Sequence, residues 1–220
     1  MRIIKYLLSS LIIILVLNQT GVCQQISFKR YGIEEGLIHP SIYTINQDKN
    51  GFIWLGTGAG ICRYDGLHFS TVKSNDSLSQ IYVNVSFCDN LGRVWFGFDD
   101  GTLAYFNGKK VIVVFRDIQN PSLITSITQN EKGELLATTQ NEGIIVVDAS
   151  LKATKIKEPF SGELLYSSCF LNERYFLLGT GNGLFIYDYS SNSIKKITKV
   201  KDIPDSKIQC IIPRKDNKSY

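Results

Sequence analysis

A single phrase is written four times along this chain. Asp48-Lys49-Asn50-Gly51-Phe52-Ile53-Trp54-Leu55-Gly56 returns 41 residues later as Asp89-Asn90-Leu91-Gly92-Arg93-Val94-Trp95-Phe96-Gly97. Further steps of 41 reach Glu131-Lys132-Gly133-Glu134-Leu135-Leu136-Ala137-Thr138 and Asn172-Glu173-Arg174-Tyr175-Phe176-Leu177-Leu178-Gly179-Thr180. Trp54 therefore maps onto Trp95, Leu136 and Leu177, and Gly56 onto Gly97 and Gly179. Each copy reads as a polar turn, a short apolar strand and a second turn. A period of roughly 40 to 50 residues built from short strands is what a propeller blade requires, because one small antiparallel sheet cannot bury both faces alone. The apolar residues lack the 3, 4, 7 spacing of a helix. The predicted fold is all-β: a partial β-propeller of four four-stranded blades plus the first strand of a fifth.

The blades are predicted over 41–73, 82–115, 123–156 and 164–198, with the start of a fifth over 207–220. Their first and innermost strands are Ile42–Gln47, Val83–Phe87, Ile124–Gln129 and Ser167–Leu171, followed by Ile208–Ile212. Upstream, Ile26–Tyr31 alternates like a fourth strand, since Phe28 plus 41 is Phe69, and is expected to pair with a strand from the far end of the chain. A closed ring of about seven such blades needs roughly 290 residues. The 197 residues of 24–220 fall short of that, so the domain is expected to be incomplete at its C-terminus and to belong to a longer protein.

Residues 1–23 form a separate element. Arg2 and Lys5 make a positive head, Tyr6–Leu17 is an apolar run, and Gly21-Val22-Cys23 supplies small residues, which is the layout of a secretory signal peptide. The run is shorter than the roughly 20 residues that span a bilayer. The predicted location is the periplasm, with no membrane span in the mature chain. Cleavage lowers the formal charge from +4 to +2, and no Lys/Arg block stands out, so nucleic acid is not expected as a partner. Cys62, Cys88, Cys169 and Cys210 lie inside apolar strand segments without a Cys-x-x-Cys pair, and are expected as buried free thiols.

Several residues invite a chemical reading and are better explained by architecture. Asp48–Gly51 and Asp89–Gly92 resemble half of a calcium loop, but the distant Glu is missing, since Ala59 stands there. Turn chemistry accounts for the same residues. The runs Gly56–Gly60 and Gly179–Gly183 lack the helix or the Gly-Lys-Ser/Thr of a phosphate loop. Trp54 and Trp95 alternate with leucine at one repeat position, which suits a packing role better than ligand stacking. His39 and His68 are unaligned in the repeat and have no partner nucleophile, and the inner strands carry no repeated carboxylate. No catalytic or metal site and no cofactor is predicted. The structural repeat positions are Asp48, Gly51, Trp54, Gly56, Asp89, Gly92, Trp95, Gly97, Gly133 and Gly179.

The pattern Ile-x-x-Asp-x-x-Gly-x-Ile-Trp-Leu-Gly-Thr-x-x-Gly-Ile-x-x-Tyr-Asp, present over Ile45–Asp65, resembles the two-component-regulator propeller repeat, as does Tyr31–Leu37 leading into Ser41-Ile42. The resemblance is strong in the first blade, clear in the second and loose in the next two. It implies the exported sensor region of a Bacteroidetes hybrid two-component system, detecting oligosaccharides released from polysaccharides and self-associating in the full-length protein. The histidine kinase of such systems is not in this sequence, so no enzyme activity is expected of it. The alternative is a secreted propeller that serves as a protein-interaction platform without a small ligand. The repeat motif is structural, and the resemblance transfers no binding residue.

Overall fold

The computed structural model describes residues 27–72, 78, 81–160, 162–197 and 206–212. The segment predicted as a signal peptide lies outside them. Residues 27–30 are the described part of a first unit ending at Arg30; they are exposed and carry no strand. The alternation of Ile26–Tyr31 thus does not become a strand here, and Phe28 is 87% exposed. A strand needs a backbone ladder, and residues 27–31 carry none.

The second unit holds four antiparallel sheets, each of four strands in simple chain order. The first is β1 (Ile42–Gln47), β2 (Ile53–Thr57), β3 (Gly60–Tyr64) and β4 (Phe69–Thr71). The second is β5 (Val83–Cys88), β6 (Val94–Phe98), β7 (Leu103–Phe106) and β8 (Val111–Phe115). Next come β9 (Ile124–Gln129), β10 (Leu135–Thr139), β11 (Ile144–Val147) and β12 (Ala153–Ile156). The last sheet is β13 (Leu165–Phe170), β14 (Tyr175–Thr180), β15 (Gly183–Asp188) and β16 (Ser193–Lys196). A short 3-10 turn, Ile33–Glu35, precedes the first sheet. The expected fifth inner strand is a correction: residues 206–212 form no strand, although the Ile208 amide donates to the Thr180 carbonyl at 2.9 Å. Among the described residues no second strand of that sheet stands beside it.

Why the period is so strict shows in the turn between the first two strands of each blade. Asp48 accepts the amides of Asn50 and Phe52 on one carboxylate oxygen and the Trp54 indole N–H on the other, at 2.9, 3.1 and 2.8 Å. Asp89 repeats this with Leu91, Arg93 and the Trp95 indole at 3.0, 2.8 and 2.8 Å. Where leucine replaces tryptophan there is no indole donor, and the carboxylate is replaced too. Asn130 accepts the Lys132 and Glu134 amides, and Asn172 those of Arg174 and Tyr175. Side chain and turn residue change together: the second carboxylate oxygen of Asp48 and Asp89 takes the indole N–H, and in the two leucine copies both that donor and that carboxylate are gone. Gly51, Gly92 and Gly133 close the turn at φ of +87°, +79° and +85°, a region that a Cβ disfavours.

The core lies between blades rather than within them. Trp54 and Ile61 of the first blade pack with Val83, Phe96 and Ala104 of the second. Trp95 and Leu103 do the same against Ile124, Leu135 and Ile145, and Leu136 and Ile144 against Leu165, Phe176 and Leu178. Gly56 and Gly97 sit at the closest approach: a Cβ on either would collide with the first residue of the next inner strand, Val83 or Ile124. On the other face of the first blade, Leu55 and Cys62 are covered by Leu37 and Ile38. Inner strands are tied to each other by hydroxyls, Thr44 Oγ1 to Ser86 Oγ at 2.7 Å and Ser126 Oγ to Ser168 Oγ at 2.9 Å.

Cys62 and Cys169 are buried free thiols, and burial pushes both up. Cys88 is half-buried and Cys210 is exposed, contrary to the expectation that all four would be enclosed. Cys210 lies in the stretch that gains no strand neighbour among the described residues.

One ion pair couples the last blade to pH. The Arg174 guanidinium Nε donates to both Asp188 oxygens at 2.8 Å and holds that carboxyl well below the usual carboxylate range. A depressed folded-state pKa gives stability that is present above the unfolded value of about 3.9 and lost as pH falls toward the folded one. Asp117 and Glu142, both held down first by Lys155, act in the same direction. The melting temperature should therefore fall steadily below about pH 4, and Arg174→Met should shallow that fall without abolishing it. Melts followed by circular dichroism from neutral to acidic pH test this; an unchanged slope in the variant refutes the role given to the pair.

Candidate functional site

Each blade has two ends with different characters. At one end lie the Asp or Asn turns just described, which the copies share for architectural reasons. At the other, the turn between the second and third strands is tied to the residue just before the first strand or at its threshold. The bonds are Gly58 N–H to Ser41 O, Asp99 to Tyr82, Gln140 to Leu123 and Gly181 to Leu164, at 3.3, 3.0, 2.8 and 2.8 Å. Both members advance by 41 from blade to blade. This pinned end, where every inner strand begins, is the candidate binding face.

A bulge marks the same place in all four inner strands. Pairing skips from Ile42 to Thr44, Val83 to Val85, Ile124 to Ser126 and Leu165 to Ser167. The residues left out of the ladder are Tyr43, Asn84, Thr125 and Tyr166, again at steps of 41. A bulge re-aims a side chain and frees it from the demands of the ladder. Here the freed position carries a different residue in each of three blades, unlike the turn at the opposite end. Sequence reasoning passed over these residues because it sought identical residues at a fixed register. The signal available was the converse, a fixed register with varying polar and aromatic residues.

Tyr43 and Tyr82 stand on adjacent blades with ring centroids 6.0 Å apart and planes tilted by 33°. Tyr166 has the Lys207 ammonium over its ring at 4.5 Å, and Thr125 Oγ1 meets Thr138 Oγ1 at 2.8 Å. Asp99 follows the second strand of its blade. Loss of hydration, then the neighbouring Asp100, pushes its carboxyl above the usual range. The shifted carboxyls elsewhere, Asp65, Asp117, Glu142, Asp148 and Asp188, move the other way. Asp100 itself is paired to Arg116 at 2.8 Å. The face is therefore aromatic and polar with its charges mostly paired, suited to holding a ligand by ring faces and hydrogen bonds.

The residues singled out from sequence lie elsewhere. Trp54 and Trp95 are 1% and 0% exposed, inside two successive interblade clusters. Asp48, Asp89, Gly51, Gly92 and Gly133 build the turns at the opposite end, and Gly56, Gly97 and Gly179 the close approaches between blades, Gly179 against Ile208. His39 accepts the Ser41 amide beside Gly58, while His68 is in the Asp65 turn at the other end of the same blade. Among the described residues no three His, Cys, Asp or Glu side chains gather as metal ligands do, and no helix is long and apolar enough to cross a membrane.

Comparison with known proteins places this geometry. Residues 36–59 match the family described as two component regulator propeller. Among solved structures, an extracellular domain assigned to the hybrid two component system BT3049 of B. thetaiotaomicron superposes with a TM-score of 0.63 at 23% identity, covering 77% of this chain and 26% of that one. One assigned to the one component system BT4673 of the same organism gives 0.56 at 17%, covering 87% and 34%. The chain thus spans about a quarter to a third of those two structures. Virginiamycin B lyase from Staphylococcus aureus gives 0.59 at 16%, over 73% of this chain and 56% of the lyase. No curated protein matches. At these identities the superpositions speak for the fold alone, and the lyase shows that it hosts more than one function. The fold is that of β-propeller blades, four of them among the described residues, and residues 36–59 match the two component regulator propeller repeat.

Proposed function

We propose that this chain is the ligand-sensing part of an exported two-component sensor, working in the periplasm and recognising oligosaccharides released from polysaccharides. The observation that carries the reading is the repeat matched over residues 36–59, set in a fold similar to that of the extracellular domains assigned to a hybrid two component system and a one component system. The two ends of the blades support it: one is held constant by turn chemistry, and the other varies at a pinned register, as a binding face should. The signalling machinery would lie in other parts of a longer protein, and this chain would bind rather than catalyse. Calorimetry of the purified exported chain against a panel of plant and microbial oligosaccharides should find at least one ligand. Uniform failure to bind overturns the reading.

A second reading has its own observation. Ile45 is 63% exposed on the first inner strand, whereas Ser86 and Ile127 at the same register are covered by the preceding blade. That face calls for another β surface, whether further blades, a second copy or a different protein. Capture of a protein partner with no sugar bound would favour the interaction platform.

A further inference from the structure

We infer that Tyr43 and Tyr82 form a stacking platform for a neutral sugar ring, an inference that rests on the ligand-sensing reading and assigns it a site. The two tyrosines are 51% and 47% exposed on adjacent blades, 6.0 Å apart, on the face where the inner strands begin. Tyrosines of the interblade clusters behave differently: Tyr187 is buried, with its hydroxyl bonded to Asn192 at 2.9 Å. The exposed pair is nonetheless held in place. Tyr43 occupies the bulge, with Ser41 tied to Gly58 on one side and Thr44 tied to Ser86 on the other. Tyr82 is tied through its carbonyl to the Asp99 amide, next to the first residue of β5. Anchoring of the backbone on either side limits the conformational freedom that two exposed tyrosines lose on binding.

The chemistry around the pair selects the ligand. A pyranose presents a face of weakly positive C–H groups, which suits the negative face of an aromatic ring, and hydroxyls around its rim that need both donors and acceptors. The phenol hydroxyls supply both. Asn84, the bulge residue two positions after Tyr82, has a buried amide nitrogen with no hydrogen-bond partner among the described residues. Asp99, tied through its amide to the Tyr82 carbonyl and with no ion pair among the described residues, opposes a negatively charged ligand, whereas Asp100 is offset by Arg116. Neutral sugars fit this surface, and uronic acids do not.

The test is calorimetry of the exported chain with neutral hexaoses of glucose, xylose, mannose, galactose and arabinose, each alone, and with hexagalacturonate as the acidic probe. At least one neutral hexaose should bind. Tyr43→Ala and Tyr82→Ala, made separately and checked by melting curves for an intact fold, should each weaken it tenfold or more, while Tyr43→Phe should retain most of the affinity. Neutral-sugar binding that survives both alanine variants overturns the platform and leaves the sensing reading standing. Binding of hexagalacturonate in place of the neutral probes overturns the neutral-sugar assignment. Binding of none overturns the sensing reading and the platform with it.

Discussion

Trp95→Ala should destabilise the chain by about 3–5 kcal/mol, the range for emptying a fully buried large aromatic site. The indole is 0% exposed and packs between the second and third blades against Ile124, Leu135 and Ile145. It also carries the 2.8 Å bond to Asp89, and the Arg93 guanidinium lies 5.5 Å from its ring. Bulk and bond can be separated. Asp89 keeps its Arg93 partner at 2.5 Å when the indole goes, so the carboxylate is not orphaned and the cavity dominates. Trp95→Phe, which keeps most of the bulk and loses the donor, should cost about 1–3 kcal/mol. Urea unfolding of the three proteins gives the comparison. If phenylalanine is as damaging as alanine, the bond to the turn matters more than the packing, and the account of the core given above is wrong. Chains that fail to fold as Trp95→Ala leave the phenylalanine variant to decide.

Gly97→Ala, a gain of one methyl group, should destabilise by about 1–3 kcal/mol through overpacking. The added Cβ would stand 2.5 Å from Ile124 Cγ2 and 2.7 Å from Val85 Cγ1. Both neighbours are β-branched and stiff at χ1, so neither can swing aside, and the two blades must part instead. The third blade shows the way out. Thr138 stands at this register, paired with Ser126 where Gly97 is paired with Val85, and the next inner strand opens with Leu165 in place of Ile124. Adding Val85→Ser and Ile124→Leu to Gly97→Ala should therefore recover part of the loss, a coupling expected only of residues in contact. A neutral single substitution, measured by the same unfolding experiment, would show that the interblade spacing has slack that the structure does not suggest.

The two experiments touch the features that were most and least legible beforehand. The tryptophan, its turn and the period of 41 could be read directly, because turn chemistry and strand alternation are local and each copy repeats them. The limits of the four inner strands came within two residues for the same reason. The flanking strands did not follow: Ile26–Tyr31 and Ile208–Ile212 alternate as well as any inner strand, yet a strand exists only when another chain segment completes its hydrogen bonds. Alternation is a property of the segment, and pairing is a property of its neighbour. Cys210, apolar in its surroundings along the chain and exposed in space, illustrates the same gap.

What the sequence determined by itself was the blade: its four strands, the Asp or Asn turn, the glycine at closest approach and the interval at which they return. Short-range sterics and hydrogen bonding within about 40 residues are enough for that. Only the tertiary structure decided which residues share the exposed face where the inner strands begin. Tyr43 and Tyr82 are 39 positions apart and share no motif, and they meet because a bulge in one inner strand and the start of the next are pinned to the same end of neighbouring sheets. A bulge adds a residue without altering the period, so it leaves no mark in the repeat, and the proximity it creates arises from stacking one blade on another.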